Sequence, residues 1–177
     1  YFNSLYLESV CQREKGNFAA QYELLQRALS LNPNAPEVLF DLATAAARST
    51  VLSDSVIASI YQKAVDGVEK NKKNLKDGSD SAGVASQAAA YTEVFARYQM
   101  SRGKTAEAIP LWRKLMENSA KRQEAYQMLV NCYSRLDRMD DVLKTLEEWE
   151  NMEGGSSQVS MMKIKTLNLL HRYDEAI

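Results

Sequence analysis

The sequence predicts an all-α fold, a right-handed superhelical stack of antiparallel helix hairpins, and three observations carry that expectation. First, positions across the second half match at an interval of about 34 residues, the length of one helix–turn–helix unit. Phe95 and Leu129 are one such pair, Trp112 and Leu146 another, and Thr105, Met139 and Tyr173 form a triplet. Ala108, Val142 and Ala176 keep the same phase, as do Ile109, Leu143 and Ile177. Second, apolar residues inside each unit follow helical spacing: Tyr126, Leu129, Val130 and Tyr133 stand at i, i+3, i+4 and i+7, one buried stripe. Third, glycine (7) and proline (3) are scarce in the 177 residues, which suits long helices better than strands and turns.

The elements follow in order. Gly16-Asn17-Phe18 reads as a tight turn after a first helix, with Gly16 free to take the left-handed conformation that closes a helix. Tyr22, Leu25, Ala28 and Leu29 mark the second helix, which Asn32-Pro33-Asn34 stops. Pro36 suits the first turn of the third, whose inner face is Leu39, Leu42, Ala43 and Ala46. Ile57, Ile60, Tyr61 and Ala64 mark a longer fourth helix, with Lys70, Lys72 and Lys73 near its C-terminus, where cations are favoured. Asp77-Gly78-Ser79-Asp80-Ser81 reads as an inserted loop over about 77–83, and another helix spans about Ala82 to Arg102. Asp137 to Asp140 is a short polar turn before a helix carrying Val142, Leu143, Leu146 and Trp149. A second loop is expected at Gly154 to Ser157, and a further helix opens at Tyr173-Asp174-Glu175-Ala176-Ile177. One hairpin cannot hide both of its apolar faces, so each must stack on its neighbours.

Composition excludes several classes of function. Lys plus Arg total 22 against 23 Asp plus Glu, a net charge of −1, so the broad cationic footprint needed for nucleic acid or an anionic membrane is absent. No apolar run approaches the ~18 residues of a membrane span; the richest, Val38 to Ala47, is broken by Asp41 and Thr44. The chain begins with Tyr1 and stops inside a recognisable repeat, as a trimmed fragment would. Two cysteines, Cys11 and Cys132, are too few for a disulfide framework. They fall at equivalent phases of distant repeats and read as small buried hydrophobes. With them and a single histidine, His171, a zinc site of ordinary composition cannot be assembled. His171 reads as a turn or helix-end residue. Asp77 to Asp80 is too short for a calcium loop and lacks its terminal Glu. Glu147, Glu148 and Glu150 read as a solvated helix face, and Ser156 and Ser157 have no base nearby in sequence, so no enzyme and no cofactor is expected.

These residues resemble the tetratricopeptide repeat (TPR) family, including bacterial members that are often exported. Its pattern is carried by Gly16-Asn17-Phe18, Ala28 and Asn32-Pro33 in the first unit, and by Gly103, Ala108-Ile109 and Trp112 in the third. Tyr126, Leu129 and Tyr133 carry it in the fourth, and Tyr173 to Ile177 in the fifth. Gln21 and Val142 replace the usual Ala, and Glu8 stands where Leu is usual. The resemblance implies one TPR-like α-solenoid domain over 1–177, with repeats near 2–35, 36–76, 82–121, 122–155 and a truncated 156–177. It also implies a soluble protein of the bacterial periplasm or cell envelope.

TPR proteins usually bind extended peptides or helices on the concave face built by the first helix of each repeat. The resemblance therefore implies a partner-binding face of Tyr6, Arg13, Phe40, Arg48, Arg97, Gln127, Asn131 and Arg135. With one arginine per repeat beside Tyr6 and Phe40, this face suits a mildly acidic peptide or protein segment. Each arginine taken singly reads first as a helix-end cap or as the partner of a nearby carboxylate. The Lys/Asn/Arg set with which some TPR domains hold a C-terminal carboxylate is missing, since Tyr6, Val10, Asp41, Ala90 and Val94 occupy the matching positions. The expected function is a non-catalytic protein-interaction scaffold, with no nucleic acid partner and no membrane insertion, and with self-association open to the unfinished last repeat. The alternatives are a small-ligand or glycan-binding component of a cell-envelope uptake system, which a closed aromatic pocket would favour, and a purely structural spacer.

Overall fold

The computed structural model describes residues 1–74, 81–153 and 157–171. Among them every regular element is an α-helix: α1 (Phe2–Glu14), α2 (Phe18–Leu31), α3 (Pro36–Ser49), α4 (Asp54–Asn74), α5 (Ser81–Ser101), α6 (Thr105–Leu115), α7 (Arg122–Arg135), α8 (Met139–Glu153) and α9 (Ser157–Leu169). The fold is all-α, as predicted.

Local sequence sets the helix ends. Gly16 (φ 74°) and Gly103 (φ 73°) take the left-handed conformation in the corners after α1 and α5, where a Cβ would be strained. Asn17 caps α2 by accepting from the Ala20 amide. Pro36 opens α3, where its missing N–H costs no helical bond. Thr50 and Asp137 close α3 and α7 without glycine, at φ 54° and 55°. Helix α4 places Asp54 in its first turn and Lys72 and Lys73 in its last, in line with the helix dipole. Pro110 lies inside α6; it is exposed, and it removes the N–H that would have bonded the Ala106 carbonyl.

The contacts divide the chain into two compact units, Tyr1–Phe95 and Ala96–Ile177. In the first, α1 packs on α2, α2 on α3 and α3 on α4. Its core holds Leu5, Leu24, Leu25, Ala28, Val38, Leu42 and Ala45, and α4 contributes Ile57, Ala64, Val65 and Val68. Gly67 allows α4 to approach the start of α3, since a Cβ there would stand 2.9 Å from Pro36 Cγ. In the second unit α6 packs on α7, α7 on α8 and α8 on α9. Trp112, Leu115, Leu129, Leu146 and Trp149 are buried almost completely, and the Tyr126 and Trp149 rings stack at 5.6 Å and 3°.

Three sequence expectations need adjustment. Cys132 is buried, but Cys11 is exposed: it faces outward from α1, where no further helix of the described residues covers it. The expected loop over 77–83 ends sooner, because Ser81 already belongs to α5; its remaining residues lie outside the described ones. Likewise Ser157 is the first residue of α9 and not the end of a loop. Gly154 to Ser156 and the expected helix at Tyr173 to Ile177 lie outside the described residues. His171 follows α9 at φ 58°, a helix-end residue as the sequence suggested.

Candidate functional site

In the first unit, helices α1, α3 and the N-terminal part of α5 bring together polar and aromatic side chains that the core pattern does not require. Helix α3 presents Glu37, Phe40, Asp41 and Thr44 at i, i+3, i+4 and i+7, one face of a helix. The Tyr6 hydroxyl donates to Asp41 Oδ2 at 3.0 Å, and Arg13 Nη1 lies 3.6 Å from Asp41 Oδ1. The Phe40 ring stacks on Tyr91 of α5 with centroids 3.9 Å apart and planes 4° apart. Tyr61 meets Phe40 edge-on at 5.6 Å, and its hydroxyl is 3.1 Å from Thr44 Oγ1. Such aromatic pairs contribute about 0.5–1.5 kcal/mol beyond the area they bury.

The electrostatics follow from this packing. Burial pushes the Asp41 carboxyl above the usual Asp range, against the Tyr6 hydrogen bond and the Arg13 charge, which favour the anion. Burial also raises the Tyr6, Tyr61 and Tyr91 hydroxyls, and the Asp41 charge adds to each shift. Glu37 acts on Tyr6 and Tyr91 in the same sense, so its charge reaches residues on both flanking helices.

The predicted site residues separate into groups. Tyr6, Arg13 and Phe40 come together around Asp41. Arg48 is on the same helix, but its guanidinium lies over the Phe18 ring of α2, 4.9 Å from the centroid. In the second unit Arg97 pairs with Glu124 and lies 5.6 Å from the Trp112 ring centroid. Gln127, Asn131 and Arg135 are exposed along one face of α7, at i, i+4 and i+8. Arg13 and Arg97 thus already hold carboxylates of their own unit. Sequence reasoning missed Glu37, Asp41, Tyr61 and Tyr91. The available signal was the spacing of Glu37, Phe40, Asp41 and Thr44, a mixed face on a helix whose other positions up to Ala47 are apolar.

A separate cleft of about 650 Å³ lies between the α2–α3 corner and α4, with Asn34, Leu39, Lys63, Asp66, Lys70 and Asn71 among its lining. It contains none of the predicted site residues. Among the described residues no group of His, Cys, Asp and Glu is placed to hold a metal ion, and no helix is long and apolar enough to cross a membrane.

No family profile matches the chain, and no curated protein matches it in sequence. Solved structures match the fold. A tetratricopeptide repeat protein from Parabacteroides merdae superposes with a TM-score of 0.65 at 17% identity, over 99% of this chain and 62% of that one. The chain therefore spans less than two thirds of that protein. A point mutant of MamA gives a TM-score of 0.64 at 13% identity, over 99% of this chain and 86% of that one. MamA of AMB-1 gives 0.57 at 13% identity, over 99% and 86%. The fold of the chain is TPR-like.

Proposed function

We propose that the chain is a non-catalytic scaffold that binds a peptide or protein segment on the face shared by α1, α3 and the first-unit part of α5. The observation that carries this reading is the half-buried Phe40–Tyr91 stack with Tyr6 beside it, contributed by three successive first helices of TPR-like hairpins. Partly exposed aromatic side chains held by packing lose little conformational freedom when covered, and they anchor interfaces for that reason. Phe40 and Tyr91 lie flat on each other, which leaves no room between them for a sugar ring. This supports a surface on which a chain is laid rather than an aromatic sandwich for a small ligand. On the second unit, the exposed Gln127, Asn131 and Arg135 of α7 supply hydrogen-bond donors suited to a peptide backbone.

The test is affinity capture from the source cells with the parent chain and with a Phe40→Ala variant whose helical content and melting are checked by circular dichroism. A partner retained by the parent and lost by the folded variant supports the reading. Equal retention by both moves the interaction off this face.

A further inference from the structure

We propose that the segment bound at this face presents a basic side chain, Lys or Arg, to Glu37 beside the Phe40–Tyr91 rings. The inference rests on the binding face proposed above and reverses the charge that the arginine count alone suggested.

The argument is one of charge left over after internal pairing. Asp41 has its counter-ion and donor, Arg13 and Tyr6. Glu37 is partly exposed one turn earlier on the same face of α3, and no ion pair or hydrogen bond engages its carboxylate among the described residues. Arg48 cannot compensate it. Eleven residues of helix separate the two, about 16 Å at 1.5 Å per residue, which exceeds the Debye length of about 8 Å at physiological salt. Moreover, the Arg48 guanidinium is turned to Phe18. On the first unit, the arginines that would have drawn an acidic partner are engaged: Arg13 with Asp41 and Glu14, and Arg48 with the Phe18 ring.

What Glu37 has beside it is aromatic. Its charge is felt by the Tyr6 and Tyr91 hydroxyls from either side, and Phe40, whose ring stacks on Tyr91, lies one turn along the same face of α3; the faces of such rings, not their edges, are electron-rich. A carboxylate next to aromatic rings is the chemistry that accepts an ammonium or guanidinium, through a charge-assisted hydrogen bond and a cation–π contact together. Glu37 stands in the first turn of α3, where the helix dipole favours negative charge.

The experiment is selection of a display library of random twelve-residue peptides on the whole chain, followed by affinity measurement on the parent, Phe40→Ala, Tyr91→Ala, Glu37→Gln and Glu107→Gln. Glu107 is exposed on α6 and controls for the change in net charge. The expected result is a set enriched in Lys or Arg whose affinity depends on Phe40 and Tyr91. Those peptides should weaken about tenfold on Glu37→Gln and with rising salt, and stay unchanged on Glu107→Gln. Peptides that need Phe40 and Tyr91 but lack basic residues, or ignore Glu37→Gln, overturn the charge inference and leave the binding face standing. Failure to select any peptide that depends on Phe40 and Tyr91 overturns both.

Discussion

The Tyr6 hydroxyl donates to Asp41 Oδ2 at 3.0 Å, tying α1 to α3 across 35 positions of sequence. Asp41 is only 9% exposed, so water does little to replace a lost donor. Tyr6→Phe keeps the ring and removes the bond, and the expected cost is about 1.5 kcal/mol, the lower end for a hydrogen bond to a charged group because Tyr6 is half-buried. A urea denaturation series reads it as a lower midpoint at unchanged slope. An unchanged midpoint would mean that the bond contributes nothing.

The same carboxylate sets a pH dependence whose sign is fixed by its burial. The folded state holds the Asp41 proton more tightly than the unfolded chain, where the group has its ordinary value near 3.8. Its stabilising contribution is therefore complete below that value and is lost as pH rises through the raised folded pKa. Asp41→Asn cannot titrate, yet its amide oxygen can still accept from Tyr6. The stability of the parent minus that of this variant should fall as pH rises through that window and then level off. A difference that rises with pH would show that the Arg13 charge outweighs the cost of burial.

How much of this was legible in the sequence depended on periodicity. The buried stripe Tyr126, Leu129, Val130 and Tyr133 was readable because burial repeats with the helix, and so were the turns at Gly16 and Asp137, whose residue types suit a left-handed backbone. The Tyr6–Asp41 bond was not, because a polar pair between helices leaves no periodic mark. Arg13 and Arg97 were picked out by their repeat positions, but the sequence could not say that Asp41 and Glu124 would engage them. Cys11 was misjudged for a related reason. Repeat phase sets the direction of a side chain, whereas burial also needs a neighbour, which Cys132 has and Cys11 on α1 lacks.

That difference predicts the thiol chemistry. Cys11 should react with a thiol-specific reagent in the native protein at nearly the rate of a free cysteine. Cys132 is inaccessible, and burial also pushes its thiol pKa up, which lowers the reactive thiolate fraction. Expected is one fast equivalent in buffer and a second on denaturation. Two fast equivalents would show that α7 is not packed as described.

Leu129 is fully buried in α7, and Leu129→Ala should cost about 2–5 kcal/mol, the range for truncating a large side chain in a core that closes only partly around the cavity. A thermal melt gives the reading. A midpoint equal to that of the parent would mean that the stripe is not a core.

Gly67 supplies the sharpest test of packing, because two expectations oppose each other. In a helix interior Gly→Ala normally stabilises by about 1 kcal/mol. Here the added Cβ would meet Pro36 Cγ at 2.9 Å and Pro36 Cβ at 3.3 Å. These are ring atoms with little freedom to move, at the first turn of α3, and overpacking of this kind costs about 1–3 kcal/mol. Gly67→Ala should therefore destabilise by about 1 kcal/mol. In a Pro36→Ala background the nearer obstacle, Cγ, is gone and only the Cβ at 3.3 Å remains, so the same substitution should cost less or become neutral, a departure from additivity in the double-mutant cycle. Stabilisation by Gly67→Ala in the parent would place the α4–α3 approach farther apart than the structure has it.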